Sequence, residues 1–177
     1  EFRQARLLEN AGKFIEAKEV YYKAKDLDAL RFRAPEEFNS IINLLAQQYE
    51  FPVVPMKEYF ERYSPHGLIG NNLILEHLHP NSQGYYLMAL AFLNTIIEFR
   101  YIENKPQNTF KPNFQSFINS WGFTELDQSY ADLTIKNLKG GWPFKPKELP
   151  NQVLQNFKPK NISEQMALKV LSTPGFG

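Results

Sequence analysis

The chain has 177 residues and a mass of 20.7 kDa, enough for one ordinary domain or two small ones with a self-sufficient core. It contains no cysteine, which excludes a disulfide framework, a thiolate zinc site and a cysteine nucleophile. Lys and Arg number 20 and Asp and Glu 19, a formal charge of +1, so no bulk field draws the chain to nucleic acid or to anionic lipid. Aromatic residues make up 15%, mainly 15 Phe and 9 Tyr, so rings must be packed or presented somewhere. No apolar run approaches the roughly 20 residues that cross a bilayer, and no membrane span is expected. Glu1-Phe2-Arg3-Gln4 has neither the charged start nor the apolar stretch of a signal peptide. It is also not a natural initiation, so the chain is expected to be part of a longer polypeptide, with its compartment left open.

Residues 3–28 predict helix, turn, helix. Asn10-Ala11-Gly12-Lys13 breaks the pattern, after which Phe14, Ala17, Tyr21, Ala24 and Leu27 recur at intervals of three and four on one helical face. The series Gly12, Phe14, Glu16-Ala17, Tyr21, Ala24, Leu27-Asp28 resembles the second half of a tetratricopeptide repeat, where small alanines let paired helices approach closely. One such unit is visible, and a solenoid needs about three.

Pro35 predicts a helix start at its favoured first-turn position, with Glu36 and Glu37 complementing the dipole. Phe38, Ile41, Ile42, Leu45 and Tyr49 are its expected buried stripe. Phe51-Pro52-Val53-Val54-Pro55-Met56, apolar and bounded by prolines, predicts a short parallel or edge strand. Residues 57–63 fit one or two further helical turns, and 64–72 a loop rich in breakers. A helix apolar nearly all round is expected over 85–101 and should be central. Residues 104–113 then read as a connector. Short helical sequence follows over 114–121, and a Thr124 cap opens an amphipathic helix that Gly140-Gly141 ends. An extended tract over 142–160 precedes a last helix opened by Ser163 and Glu164. Trp121, Trp142 and Phe144 are expected to anchor this tail rather than form a ligand box.

The expected fold is therefore mainly α with an α/β remnant: a tetratricopeptide-like helix hairpin over residues 1–30, a helix–strand unit with a long central helix over 31–103, and a connector with a helical C-terminal extension over 104–177.

His66, His77 and His79 are the only histidines and fall within one short stretch before the expected central helix. Several chemistries compete for Glu76-His77-Leu78-His79. A loop histidine with a carboxylate three residues earlier is the base half of a serine-hydrolase triad, the carboxylate fixing the tautomer. Glu76, His77 and His79 also have acceptable metal-ligand types, although no metal is assigned. A His-Pro step before a helix can also simply satisfy local backbone groups, the plainer account of His66 and His77. A phosphate site would need a Gly-rich loop, which is missing.

The run Glu76-His77-Leu78-His79-Pro80-Asn81-Ser82-Gln83-Gly84-Tyr85 resembles the final block of the SGNH (GDSL-type) hydrolase superfamily, an Asp-x-x-His element followed by Pro, a polar turn, Gly and an aromatic residue leading into a helix. The resemblance covers about residues 31–100. It implies that His79 is the general base and that Glu76 stands where the family has Asp. No Gly-Asp-Ser block occurs in the chain, so alone it is expected to be inactive, the serine lying in a preceding segment. The implied substrate is an ester or acyl group on a lipid, sugar or wall polymer, with no cofactor. Alternatives are a tetratricopeptide-type module whose hairpin receives a protein partner, and a pseudoenzyme. Arg31 and Arg33, flanking Phe32, are candidates for binding a substrate carboxylate or phosphoryl group through their planar forks. Surface ion pairs with Asp26, Asp28, Glu36 or Glu37 are the alternative.

Overall fold

In a computed structural model, which describes residues 1–102 and 113–173, the chain is mainly helical and has no sheet among those residues. Most of the expected connector lies outside the described residues. Two compact units are present, residues 1–112 and 113–177.

The first unit begins with α1 (Phe2–Asn10) and α2 (Phe14–Asp26), which pack as a hairpin. Gly12 makes the reversal at φ 73°, a left-handed conformation that glycine adopts without steric cost. Ala5 and Ala17 are fully buried, because a methyl at the seam lets the two backbones come close. The Phe2 ring meets Tyr21 edge-on at 5.5 Å, and the Tyr21 hydroxyl donates to Glu9 at 2.6 Å.

Helix α3 (Glu36–Gln48) has Pro35 as its N-cap, one position before the place expected of it. Its apolar stripe is a correction to the sequence expectation: Phe38, Ile41, Ile42, Leu45 and Tyr49 are all exposed, and only Ala46 is buried. Periodicity specifies that a helix has an apolar face, not that a neighbour covers it. Residues 51–55 form no strand among the described residues. Strand pairing needs a second backbone, and the Met56 N–H instead turns back to the Val54 carbonyl at 2.7 Å.

Helix α4 (Met56–Arg62) and a 3₁₀ turn at Pro65–Gly67 lead to α5 (Ser82–Glu98). That helix starts and ends three residues earlier than expected. Asn81 supplies the cap, its side chain accepting from the Gly84 N–H at 2.9 Å, and Arg100 at φ 55° ends the run. It is not buried all round. Gly84, Leu87, Ala91 and Thr95 make one buried face, while Tyr85 and Phe92 are exposed. Phe60, Leu73 and Leu87 form the core, with Met56, Ile74, Tyr86 and Met88 packed against it.

The second unit contains α6 (Phe114–Ser120), α7 (Glu125–Lys139), α8 (Val153–Asn156) and α9 (Ile162–Ser172). Thr124 and Asp127 form a reciprocal capping box at the start of α7. At its end Gly140 keeps a right-handed φ of −80°. The space beside it is tight: a Cβ would lie 2.4 Å from Val153 Cγ2 and 2.6 Å from Asn151 Oδ1, and those side chains would have to shift to admit it. The cap of α9 is Asn161, not Ser163, its side chain accepting from the Glu164 N–H at 2.8 Å. The short α8 interrupts the tract expected to be extended throughout. Leu133 and Ala167 are the buried contacts of the α7–α9 pair. Trp121 stacks on Phe123 at 5.0 Å and meets Phe117 at 5.3 Å, while Trp142 is exposed.

Candidate functional site

The site is a loop folded around one carboxylate. Residues 73–81 leave the core at Leu73 and return to it: Ile74 and Pro80 form an isolated antiparallel bridge. The Leu75 N–H donates to the His79 carbonyl at 2.8 Å, and the Asn81 N–H to the Leu73 carbonyl at 2.8 Å. Glu76-His77-Leu78 is thereby left as the tip of a closed loop.

Glu76 turns its side chain back into that tip. Its carboxylate accepts the backbone N–H of His77 at 2.5 Å, of Leu78 at 3.0 Å and of His79 at 2.9 Å. Nδ1 of the His79 imidazole binds the same Oε1. The Glu76 side chain has no exposed surface. Burial alone would push its carboxyl up, but the His79 N–H and imidazole and the His77 and Leu78 N–H groups outweigh it and hold Glu76 at about 2. It is ionised at neutral pH, an anion fixed by main-chain dipoles rather than by a surface counter-ion.

His79 contrasts with its partner: the imidazole is 58% exposed. With Nδ1 turned to a carboxylate, the neutral ring carries its proton there and leaves Nε2 as an acceptor lone pair. An anchored, oriented, accessible imidazole can remove a proton from a hydroxyl brought to Nε2.

Asn81 joins the loop to α5 from both ends of its amide. Its oxygen caps Gly84, and its Nδ2 donates to the Asn72 carbonyl at 2.9 Å. Asn72 in turn donates to Ser64 Oγ at 3.1 Å. Gly84 leaves no room for a side chain without movement of the backbone, since a Cβ would lie 2.5 Å from the Leu73 carbonyl oxygen and 2.8 Å from Pro80 Cβ. Sequence reasoning passed over Asn81 and Asn72 as positioning residues. The legible signal was an Asn three residues before a helical Gly, an N-cap spacing.

The three histidines do not converge. His66 stacks flat on Phe14 of α2, ring centroids 3.6 Å apart and planes within 1°. His77 faces Phe32 at 4.3 Å, and its Nδ1 lies 2.6 Å from Glu76 Oε2. Among the described residues no group of three His, Asp or Glu side chains is arranged to hold a metal ion.

A cleft of about 1170 Å³ in the first unit has Glu76, His77, Leu78 and Pro80 on its wall. Arg33 lines it and Arg31 does not, so the two arginines are not brought together there. The ion pairs weighed for them are not formed among the described residues. Glu36 is taken by Lys25 and Lys57, both at 2.6 Å, Asp26 by Lys25 at 3.3 Å, and Asp28 by the Leu30 N–H at 3.0 Å. Neither a protein-family model, a curated protein nor a solved structure matches the chain.

Proposed function

We propose that this chain carries the base half of an SGNH-like serine acyl hydrolase. His79 is its general base, Glu76 orients and electrostatically supports the imidazole, and the serine nucleophile is contributed by polypeptide beyond these 177 residues. The observation that carries this reading is the pairing of a fully buried, N–H-ligated carboxylate with an exposed imidazole three residues later.

In the proposed reaction a serine hydroxyl attacks the carbonyl of an ester or acyl group on a lipid, sugar or wall polymer. His79 Nε2 takes the hydroxyl proton as the Ser Oγ–carbon bond forms. It then returns that proton to the leaving alkoxide as the ester bond breaks. Glu76 stays ionised and stabilises the imidazolium that exists in between. Longer than Asp by one methylene, Glu76 reaches Nδ1 while still accepting the three successive N–H groups. Of the two candidate arginines only Arg33 lines the cleft, and His79 does not line it, so neither arginine is given a part in the proposed reaction.

The test is fluorophosphonate labelling of the full-length polypeptide, which reports a serine activated by a base. Labelling of the wild type and its loss in His79→Ala are expected. Equal labelling of both would remove His79 from the mechanism, and no labelling of either would favour a pseudoenzyme or a binding module. The binding alternative draws on the hairpin, whose Ala5–Ala17 seam leaves Leu7, Ile15 and Leu27 exposed for a partner peptide.

A further inference from the structure

The second unit holds a loop closed at its base. Asn151 Nδ2 donates to the Asn137 carbonyl at 2.7 Å and to the Asn137 side-chain oxygen at 3.1 Å, so the chain that leaves α7 returns to the last turn of it. Residues 140–150 are thereby a compact surface loop with joined ends. Within it the Lys145 N–H donates to the Gly141 carbonyl at 2.9 Å and the Leu149 N–H to the Pro146 carbonyl at 3.1 Å. Pro143, Pro146 and Pro150 fix φ and carry no N–H, which limits the freedom the loop has left to lose on binding. Its surface is amphiphilic. Trp142 and Leu149 are 46% and 57% exposed, and Lys145 and Lys147 are exposed as well. No acid falls between Asp132 and Glu148, whereas Lys136, Lys139, Lys145 and Lys147 all do. Lys136 rests over the Phe157 ring at 5.3 Å. The ammonium groups of the other three have no ion-pair partner among the described residues.

We propose that this loop docks on an anionic lipid surface, with Trp142 and Leu149 entering the headgroup region and the lysines facing lipid phosphates. An indole has an apolar body and one N–H, and settles at the depth where hydrocarbon meets headgroups. The local lysine cluster is its electrostatic counterpart, each lysine close to an anionic surface being worth about fivefold in partitioning. Lys136 and Lys139 also complement the carbonyl end of α7, but Lys145 and Lys147 lie beyond the helix and have no such duty. Residues 113–177 contain no arginine. Lysine suits diffuse surface charge, since a compact ammonium demands no planar, bidentate partner. A soluble polyanion would engage the lysines but leave Leu149 in water. The net charge of +1 supplies no long-range attraction, so the contact is local and screened by salt. The proposal is independent of the reading of Glu76 and His79.

The experiment is a vesicle titration of this chain read by tryptophan emission and by co-sedimentation. The chain has two tryptophans, so Trp121→Phe leaves Trp142 as the sole reporter. Vesicles mixing phosphatidylcholine with phosphatidylglycerol are expected to shift Trp142 emission to the blue, vesicles of phosphatidylcholine alone to leave it in place, and added salt to reverse the shift. Lys145→Gln with Lys147→Gln should weaken partitioning roughly 30-fold, with helical circular dichroism unchanged. Leu149→Gln, at an exposed position, should weaken it too and decides the matter if the lysine variant fails to fold. Trp142 emission unmoved by the mixed vesicles would overturn the proposal, as would undiminished binding by these variants. The same blue shift with inorganic polyphosphate would also overturn it, making the loop a plain polyanion site. Co-sedimentation kept in the lysine variant but lost in Ile41→Glu with Leu45→Glu would move the lipid contact to α3 and equally overturn it.

Discussion

Glu76 shows how an acidic side chain can be the most buried part of an exposed loop. The desolvation of a carboxylate costs several kcal/mol unless hydrogen bonds replace the lost water, and three consecutive N–H groups do so here. The folded-state value of about 2 lies below the ordinary 4.5. The associated stability is therefore present above about pH 4.5 and is lost as pH falls toward 2. Glu36, also held at about 2 by Lys25 and Lys57 against its burial, gives any variant at position 76 the same background slope. Urea midpoints measured between pH 6 and 2.5 are expected to fall for the wild type. Glu76→Gln should start lower by roughly 1–3 kcal/mol, since its amide turns a donor toward N–H donors, and should fall less steeply. Parallel curves would mean that Glu76 carries no such linkage. The Glu76–His79 pairing was legible in the sequence as a spacing of three. The approach of His77 to the same carboxylate was not, because alternation places neighbouring side chains on opposite sides of an extended chain, and only a tightly wound tip brings both rings near one carboxylate.

At the scale of elements, the start of α5 decides where the site sits. Its cap, its glycine and the Leu73 carbonyl are one device: Leu73 O accepts the Asn81 N–H and lies where a side chain at position 84 would be. Propensity alone would favour Gly84→Ala by about 1 kcal/mol. The 2.5 Å approach to a backbone oxygen acts the other way, and that oxygen cannot retreat without breaking the Asn81 bond. A net loss of about 1–3 kcal/mol is expected, seen as a lower urea midpoint at unchanged slope. A stabilised protein would show that the loop yields freely. The apolar pattern of α5 placed it correctly to within one turn but overstated its burial, since hydrophobicity on every side does not say which sides have neighbours.

For the whole molecule, the exposed apolar residues outweigh the modest core. Phe38, Ile41, Ile42, Leu44 and Leu45 of α3 and the following Phe51 are all more than 40% exposed, a patch larger than the scattered apolar residues ordinary on monomer surfaces. With a net charge of only +1, little long-range repulsion opposes association through it. The native chain is expected to bind an anilinonaphthalene sulfonate dye at neutral pH, and Ile41→Glu with Leu45→Glu should remove most of that fluorescence without changing the helical circular dichroism. Fluorescence unchanged by the double substitution would place the dye elsewhere.

The sequence by itself determined the helices, because caps, breakers and the 3.6-residue period act within a few residues of chain, and it determined that Glu76 and His79 can meet, because a three-residue separation is local too. It did not determine the covering of α3, the pairing of residues 51–55 or the separation of His66 from its two neighbours. Those depend on which surfaces come together from distant parts of the chain. Only the tertiary structure decided them: it seated His66 on Phe14, left the α3 stripe in solvent and closed the loop that buries one carboxylate between two imidazoles.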